Sequence, residues 1–256
     1  ATVFGQMVAM ILAFIFNRKV NKELTLSLRM MKPDPQIIRD VYMIGIPSIL
    51  MVSISSVMTF TMNKILIQFS STATAVFGVY YKLQSFVFMP VFGLNNGMVP
   101  IIAYNYGAGH KDRVIKTIKH SVAYGVGIMF AGLLAMHIFP AQLMRMFDAE
   151  ESLIAIGAPA LETISLSFVF AGFCIVAGSV FQALGNGVYS MIVSVARQMC
   201  VLLPVAKLLS LSGEVTLIWW AFPIAELASV LLTSYFLVRI YRKVICHIGE
   251  PVVQDA

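Results

Sequence analysis

Residues 215–238 read VTLIWWAFPIAELASVLLTSYFLV, a run of 24 residues that contains a single charged side chain, Glu226. A helix rises about 1.5 Å per residue, and about 20 apolar residues cross a bilayer core of about 30 Å. The run is therefore long enough to span a membrane as one helix. Five further stretches have a similar length and composition, at roughly 41–69, 73–103, 114–139, 153–184 and 187–208. Together the six stretches predict a protein that crosses the membrane several times.

The overall composition indicates the same environment. Hydrophobic residues make up 59% of the chain and charged residues 12%, whereas a soluble domain carries about 25% charged residues. In lipid every backbone polar group must be satisfied within the protein, and the stretches are too long and too continuously apolar for barrel strands. The predicted fold class is an all-α integral membrane protein.

The chain opens with a seventh apolar stretch, residues 1–16, which is too short to cross a bilayer and does not begin with methionine. We expect it to be the end of a truncated helix, so that the chain is the C-terminal part of a longer protein. After Pro33 and Pro35, Asp34 is placed to cap a short amphipathic helix that leads into the membrane. The stretch 153–184 is expected to form one unusually long helix.

The basic residues are concentrated in every second connection between the apolar stretches, and 13 of the 18 lie there. Those 13 are Arg18, Lys19, Lys22, Arg29, Lys32, Arg39, Lys111, Arg113, Lys116, Lys119, Arg239, Arg242 and Lys243. By the positive-inside rule these connections and the C-terminus lie in the cytoplasm. The net charge of +6 could suggest that the protein binds nucleic acid, but this distribution of the basic residues argues against it.

Three ionisable residues fall deep within the predicted spans: Lys82, Arg197 and Glu226. Charges at this depth are costly and tend to be paired or functional. Arg197 and Glu226 lie near the middle of consecutive antiparallel helices, which allows a buried ion pair. That pair is either a structural clamp or a gated charge for which a proton or a substrate competes. Lys82 either faces a water-filled cavity or pairs with a carboxylate.

Polar and soft side chains also lie in the spans. Asn63 and Gln84 are amides in the second and third apolar stretches, and sixteen methionines suit either packing or an adaptable cavity for apolar cations. The sequence carries no zinc-hydrolase motif, no nucleophile elbow and no P-loop, so we expect neither an enzyme nor a directly ATP-driven pump. Its cysteines and histidines have no ligand spacing, so no metal or other cofactor is expected.

Several motifs recur in order along the chain and resemble the second half of bacterial multidrug and toxic compound extrusion (MATE) transporters, in particular the branch common in Gram-positive bacteria. They are Gly45-Ile46-Pro47, Phe88-Met89-Pro90-Val91-Phe92-Gly93-Leu94, Val99-Pro100-Ile101-Ile102, Tyr104-Asn105-Tyr106-Gly107-Ala108-Gly109, Phe181-Gln182-Ala183-Leu184-Gly185, Arg197-Gln198 with Pro204, and Pro223-Ile224-Ala225-Glu226.

The resemblance implies twelve helices in two six-helix lobes. The expected parts are the end of a truncated helix (1–17), a cytoplasmic inter-lobe connection (18–40), the six-helix C-terminal lobe (41–243) and a cytoplasmic tail (244–256). It also implies a multi-pass protein of the bacterial plasma membrane that exports cationic or amphipathic drugs in exchange for protons or sodium ions, by alternating access. The missing N-terminal lobe and the lipid bilayer are its implied partners.

The candidate cavity or coupling residues are Glu226, Arg197, Lys82, Asn63, Gln84 and Gln182. Some family members carry cation-binding carboxylates in the middle of helices seven and ten, but the corresponding stretches here contain no acid, which leaves Glu226 as the only acid near mid-membrane. Two alternatives stay open at this point: a lipid-linked saccharide flippase of the same superfamily and, from another class, a seven-helix receptor.

Overall fold

The computed structural model describes residues 2–20, 33–147 and 149–249. They belong to two compact units, Ala1–Met43 and Ile44–Ala256. The first unit contains helix α1, Thr2–Lys19, none of whose residues is buried, and the beginning of helix α2. The amide of Gln36 donates a hydrogen bond of 2.8 Å to Asp34 Oδ1, which confirms the predicted cap. The helix that it begins is the long α2 rather than a separate short one.

Every regular element formed by the described residues is helical. After α1 the helices are α2 (Pro35–Leu66), α3 (Ser71–Gly107), α4 (Lys111–Ile138), α5 (Pro140–Arg145), α6 (Glu151–Ser165), α7 (Phe168–Ala183), α8 (Gly187–Val195), α9 (Leu203–Ser210), α10 (Val215–Ile218) and α11 (Ala221–Lys243). A π-helical segment, Ala196–Leu202, joins α8 to α9, and a 3₁₀ turn, Ile245–His247, follows α11.

The second unit contains five helices that could cross a membrane, or up to six spans. Five are long and apolar enough to cross by themselves, namely Gly45–Leu66, Ser71–Gly107, Lys111–Ile138, Gly187–Ser210 and Val215–His247, and α6 with α7 supplies a sixth if this bent pair is one span. These counts refer to the described part of the chain. They confirm the predicted all-α membrane fold with a six-helix lobe, while the predicted domain limits at residues 17, 40 and 243 stay predictions.

The fourth span in chain order, α6 with α7, is not the single long helix that the sequence suggested. Helix α6 ends at Ser165, α7 begins at Phe168, and the two axes differ by 50°. At this break the hydroxyl of Ser167 donates to the carbonyl of Ile164 at 2.6 Å, and its own amide donates to the same carbonyl. Serine side chains that bond to the preceding turn compete with the helical ladder and bend it. Periodicity alone does not reveal such a break.

Helix α4 packs against α3 and α7 through glycines. A methyl group placed on Gly172 of α7 would lie 3.0 Å from the carbonyl oxygen of Gly125 in α4, so the two backbones almost touch. Farther along α4, a methyl group on Gly132 would overlap Val87 of α3. Small residues allow this close approach in membranes, where van der Waals packing replaces the hydrophobic effect as the force between helices.

The π-helical segment Ala196–Leu202 has a cause in the sequence. Pro204 follows it, and a proline both lacks an amide hydrogen and clashes with the carbonyl four residues before it. The helix responds by widening, so that the amide of Leu203 bonds to the carbonyl of Gln198, five residues earlier. Single-turn widenings of this kind are frequent at functional sites, and this one carries Arg197 and Gln198 at its start.

Candidate functional site

A cavity of about 550 Å³ opens within the second unit. Helices α2, α3, α7, α8 and α11 and the π-helical segment contribute to its wall. Much of the lining consists of methionine and aromatic side chains, among them Met51, Met58, Met89, Tyr81, Phe88 and Phe222. Methionine side chains adapt their shape to different ligands, and aromatic faces attract cations. The lining is therefore suited to apolar molecules that carry a positive charge.

One ion pair lies in this wall. Arg197 Nη1 is 3.2 Å from Glu226 Oε2, and this is the pairing that the positions of the two residues allowed. The two side chains differ in exposure, because that of Arg197 is 34% exposed and that of Glu226 only 6%. The other carboxylate oxygen of Glu226 accepts no hydrogen bond from any described residue. Glu226 and Arg197 are also the only charged residues among the described residues of the wall.

The packing around Glu226 holds its helix in place. Phe222, one turn earlier in α11, contacts two aromatic rings of α3, with centroid distances of 5.7 Å to Tyr80 and 6.2 Å to Phe77. One turn after Glu226, the hydroxyl of Ser229 lies 3.4 Å from the Cys174 sulfur of α7. The carboxylate is therefore carried by a helix that contacts α3 one turn before Glu226 and α7 one turn after it.

Gln198 is a site residue that the sequence analysis did not select. It lines the cavity beside Arg197 and is only 2% exposed, yet its side-chain oxygen Oε1 has no hydrogen-bond partner among the described residues. Buried polar groups are nearly always hydrogen-bonded, so an unpaired one needs an explanation. The Arg197-Gln198 motif, with Pro204 six residues after Gln198, was the feature of the sequence that could have identified this residue. Its place in the cavity lining depends on the π-helical segment that carries it.

The remaining candidates divide into two groups. Gln84 of α3 and Gln182 of α7 line the same cavity as the ion pair. Asn63 and Lys82 do not line it. Lys82 is exposed, and its Nζ lies 5.7 Å from the centre of the Phe147 ring, a cation–π contact. No described carboxylate is within 4.0 Å of this amino group.

The polar side chains of the cavity can bind a ligand. Among the residues that the structure describes, no three His, Cys, Asp or Glu side chains are grouped so that they could hold a metal ion. The cavity lining includes the carboxylate of Glu226 and two residues, Gln198 and Thr233, whose buried side-chain oxygens have no hydrogen-bond partner among the described residues. A carboxylate among apolar, hydroxyl and amide side chains suits a ligand that carries a positive charge.

Comparison with known proteins assigns the fold to a family. Residues 47–208, more than half of the chain, match the family model described as MatE. The chain belongs to the MATE family. The resemblance found in the sequence motifs is thus confirmed.

The relatives of this MATE chain include multidrug export proteins named MepA. The protein from Staphylococcus haemolyticus is 25% identical over 243 residues, which are 94% of this chain and 53% of the relative. The one from Staphylococcus aureus strain N315 is 24% identical over 226 residues, which are 88% of this chain and 49% of the relative. The chain thus spans about half the length of the curated relatives it matches, as expected for one lobe of a two-lobe transporter.

Solved MATE structures share the fold. The MATE multidrug transporter DinF-BH matches with a TM-score of 0.82 and 29% identity, covering 94% of this chain and 54% of that one. An outward-facing MATE family transporter of the MOP superfamily matches with a TM-score of 0.80 and 18% identity, covering 93% and 55%. The second likeness concerns the fold alone.

Proposed function

We propose that the full protein is a secondary active antiporter that exports cationic or amphipathic drugs across the bacterial plasma membrane in exchange for protons or sodium ions. This chain supplies one lobe, and the N-terminal lobe supplies the other half of the transport path. The two lobes open the path to each side in turn, and the C-terminus lies in the cytoplasm with the basic connections.

One observation carries this proposal: a cavity of about 550 Å³ with methionine and aromatic walls contains a single buried carboxylate, that of Glu226. Apolar walls favour amphipathic molecules of different shapes, since soft side chains repack around them. The carboxylate adds a preference for positive charge. Glu226 is therefore our candidate for the group at which the coupling ion and the drug compete.

The alternatives are less well supported. A flippase for lipid-linked saccharides would need a larger and more positively charged cavity, whereas the single positive charge here, Arg197, is balanced by Glu226. A seven-helix receptor does not agree with membership of the MATE family. Export of drugs is also what the names of the MepA relatives describe for those proteins.

The proposal is tested with the full-length transporter in proteoliposomes. An organic cationic dye is loaded, a proton or a sodium gradient is imposed, and dye export is followed by fluorescence. We expect export driven by one of the gradients, and its loss in Glu226→Gln. The matched control is Glu162→Gln, because Glu162 is half-buried in α6 and does not line the cavity.

Each result has a definite reading. Absence of gradient-driven export in the unmodified protein would reject the antiporter. Unchanged export in Glu226→Gln would remove the coupling role of this carboxylate. Loss of Glu226→Gln protein from the membrane, without a transport defect in what remains, would assign the pair to a structural clamp.

A further inference from the structure

We propose that the start of α4 and the end of α11, which meet at the turn after α11, form one basic surface that binds the headgroups of anionic phospholipids. This surface lies outside the cavity wall, so the inference does not depend on the drug site. The basic surface consists of five exposed side chains, Arg113, Lys116 and Lys119 of α4 and Arg242 and Lys243 of α11.

The turn Ile245–His247 holds the two helix ends together. Lys111, the first residue of α4, donates a hydrogen bond of 2.8 Å from its Nζ to the carbonyl oxygen of Cys246. A methyl group placed on Gly249 would lie 3.0 Å from the carbonyl oxygen of Gly109, so the chain after the turn packs directly on the connection between α3 and α4. Two side chains of this segment belong to the buried core, namely Ile245 and Ile248. The start of α4 and the end of α11 are therefore at the same end of the lobe.

The five side chains of the basic surface receive no counter-charge from the described part of the protein. None of them lies within 4.0 Å of a described carboxylate. Asp112 is the only acidic residue in the stretches 111–119 and 239–249, and it is exposed and forms no ion pair with a described residue. An excess of unpaired positive charge on one face is complementary to an anionic partner.

Two further basic residues at this end are already engaged and are not counted in the surface. The amino group of Lys111 is bonded to the carbonyl oxygen of Cys246. The guanidinium carbon of Arg239 lies 5.8 Å from the centre of the Tyr189 ring, a cation–π contact. The contrast with these two residues leaves the five side chains of the basic surface as the ones available to an external ligand.

Exposed tyrosines place the basic surface at the level of the lipid headgroups. Tyr124 of α4 is 63% exposed and Tyr241 of α11 is 46% exposed, and tyrosines are enriched where the hydrocarbon core meets the headgroups. Lys119 precedes Tyr124 by five residues, about 7.5 Å of helix, and Arg242 directly follows Tyr241. On the other side of these tyrosines, the exposed side chains of the two helices include Phe130, Leu134, Leu231 and Val238.

An anionic phospholipid fits both parts of this arrangement. Its phosphate accepts charge-assisted hydrogen bonds from lysine and arginine, while its acyl chains lie beside the exposed apolar side chains of the same two helices. Basic clusters directly beside a membrane span attract anionic lipids, and each Lys or Arg near the membrane surface strengthens binding about fivefold. A soluble phosphate ion would use the charges alone.

Lipid binding is measured with the full-length protein in detergent by native mass spectrometry, with either phosphatidylglycerol or zwitterionic phosphatidylcholine added. We expect phosphatidylglycerol to bind more tightly. Lys116→Gln combined with Lys119→Gln should weaken its binding by about 25-fold, fivefold for each charge. The matched control combines Lys64→Gln with Lys207→Gln, because these lysines are also exposed and lie in the last turns of α2 and α9.

Variants of α11 test whether the two helix ends act as one surface. Arg242→Gln combined with Lys243→Gln should weaken the first bound phosphatidylglycerol by a similar factor, although no residue of α4 is changed. Lys116→Arg combined with Lys119→Arg keeps both charges and should keep tight binding. Thermal unfolding of each variant in lipid-free detergent checks that the exposed substitutions leave the fold intact.

Equal binding of phosphatidylglycerol and phosphatidylcholine would overturn the inference, as would equal weakening in the α4 variant and its control. Unchanged binding in the α11 variant would contradict a shared surface. Displacement of phosphatidylglycerol by inorganic phosphate at constant ionic strength would assign the surface to a soluble anion instead of a lipid. The measurement involves no export, so its result and that of the antiporter test are independent.

Discussion

Two ion pairs in this lobe have the same length and differ in their surroundings, which makes them a direct test of what burial contributes. Arg197–Glu226 and Arg145–Glu151 both have nitrogen–oxygen distances of 3.2 Å. The side chains of the first pair are 34% and 6% exposed, and those of the second 64% and 84%. The perturbation is a double-mutant cycle in each pair, in which both partners are replaced by Gln singly and together.

The distance alone would give both pairs the same energy. Two unit charges 3.2 Å apart attract each other by about 5 kcal/mol at an effective dielectric constant of about 20. Water screens the exposed pair, so its coupling energy should be below about 1 kcal/mol. Removing Arg197 instead leaves an uncompensated charge on Glu226, whose side chain is only 6% exposed. Arg197→Gln should therefore lower the free energy of unfolding by about 3 kcal/mol. This value is at the lower end of the range for buried pairs, because the guanidinium group is partly exposed.

The free energy of unfolding is measured for the full-length protein by titration with a denaturing detergent in mixed micelles. We expect Arg197→Gln to be more destabilising than Glu226→Gln, because the arginine left behind can stay solvated and the glutamate cannot. The double variant should recover part of the loss, with a coupling energy of about 2 kcal/mol. Equal coupling energies in the two pairs would refute the reasoning, since burial would then not distinguish them.

Two further predictions concern glycines, each with a matched control. Gly172→Ala should lower the free energy of unfolding by about 1–3 kcal/mol through overpacking, since its methyl group would lie 3.0 Å from the Gly125 carbonyl oxygen. Gly127 has nothing within 4 Å of an added methyl group, so Gly127→Ala should change the free energy of unfolding by less than about 0.5 kcal/mol. Similar losses of stability in Gly172→Ala and Gly127→Ala would contradict the close packing at Gly172. Gly109→Ala should lower the free energy of unfolding by about 1–2 kcal/mol, because Gly109 has a φ of +73°. The control is Gly107→Ala, since Gly107 is helical and has nothing within 4 Å of an added methyl group. Equal thermal unfolding of the two variants would contradict the prediction.

Much of the fold could be read from the sequence, because a bilayer imposes few solutions. Apolar length and the obligation to satisfy the backbone internally fix where the spans lie and that they are helices. The break between Ser165 and Phe168 was missed, since apolar residues continue through both halves and the bend depends on which carbonyls the serine hydroxyls reach. The sequence indicates the length and polarity of an apolar stretch, but not which carbonyl each serine hydroxyl will bond to.

The candidate site was only partly predictable. Arg197 and Glu226 could be matched by depth, because position along a membrane helix converts directly into height in the bilayer. Lys82 was also placed deep within its predicted span, yet it lies outside the cavity wall, as does Asn63 near the end of α2. Depth gives the height of a residue, whereas the rotation of its helix, set by neighbours, decides what its side chain faces.

The sequence by itself determined that this is a helical membrane lobe of the MATE type with one acid and one arginine at matching depth. Only the tertiary structure decided that they meet at 3.2 Å, that the glutamate is the more buried partner, and that Gln198 lines the same cavity with an oxygen that has no donor among the described residues. The physical reason is that hydrophobicity is a property of whole segments, whereas hydrogen bonding depends on the positions of single atoms. Hydrophobicity acts on whole segments and is visible in their composition, whereas the pairing of a buried polar atom depends on a helix widened before Pro204 and packed against α11.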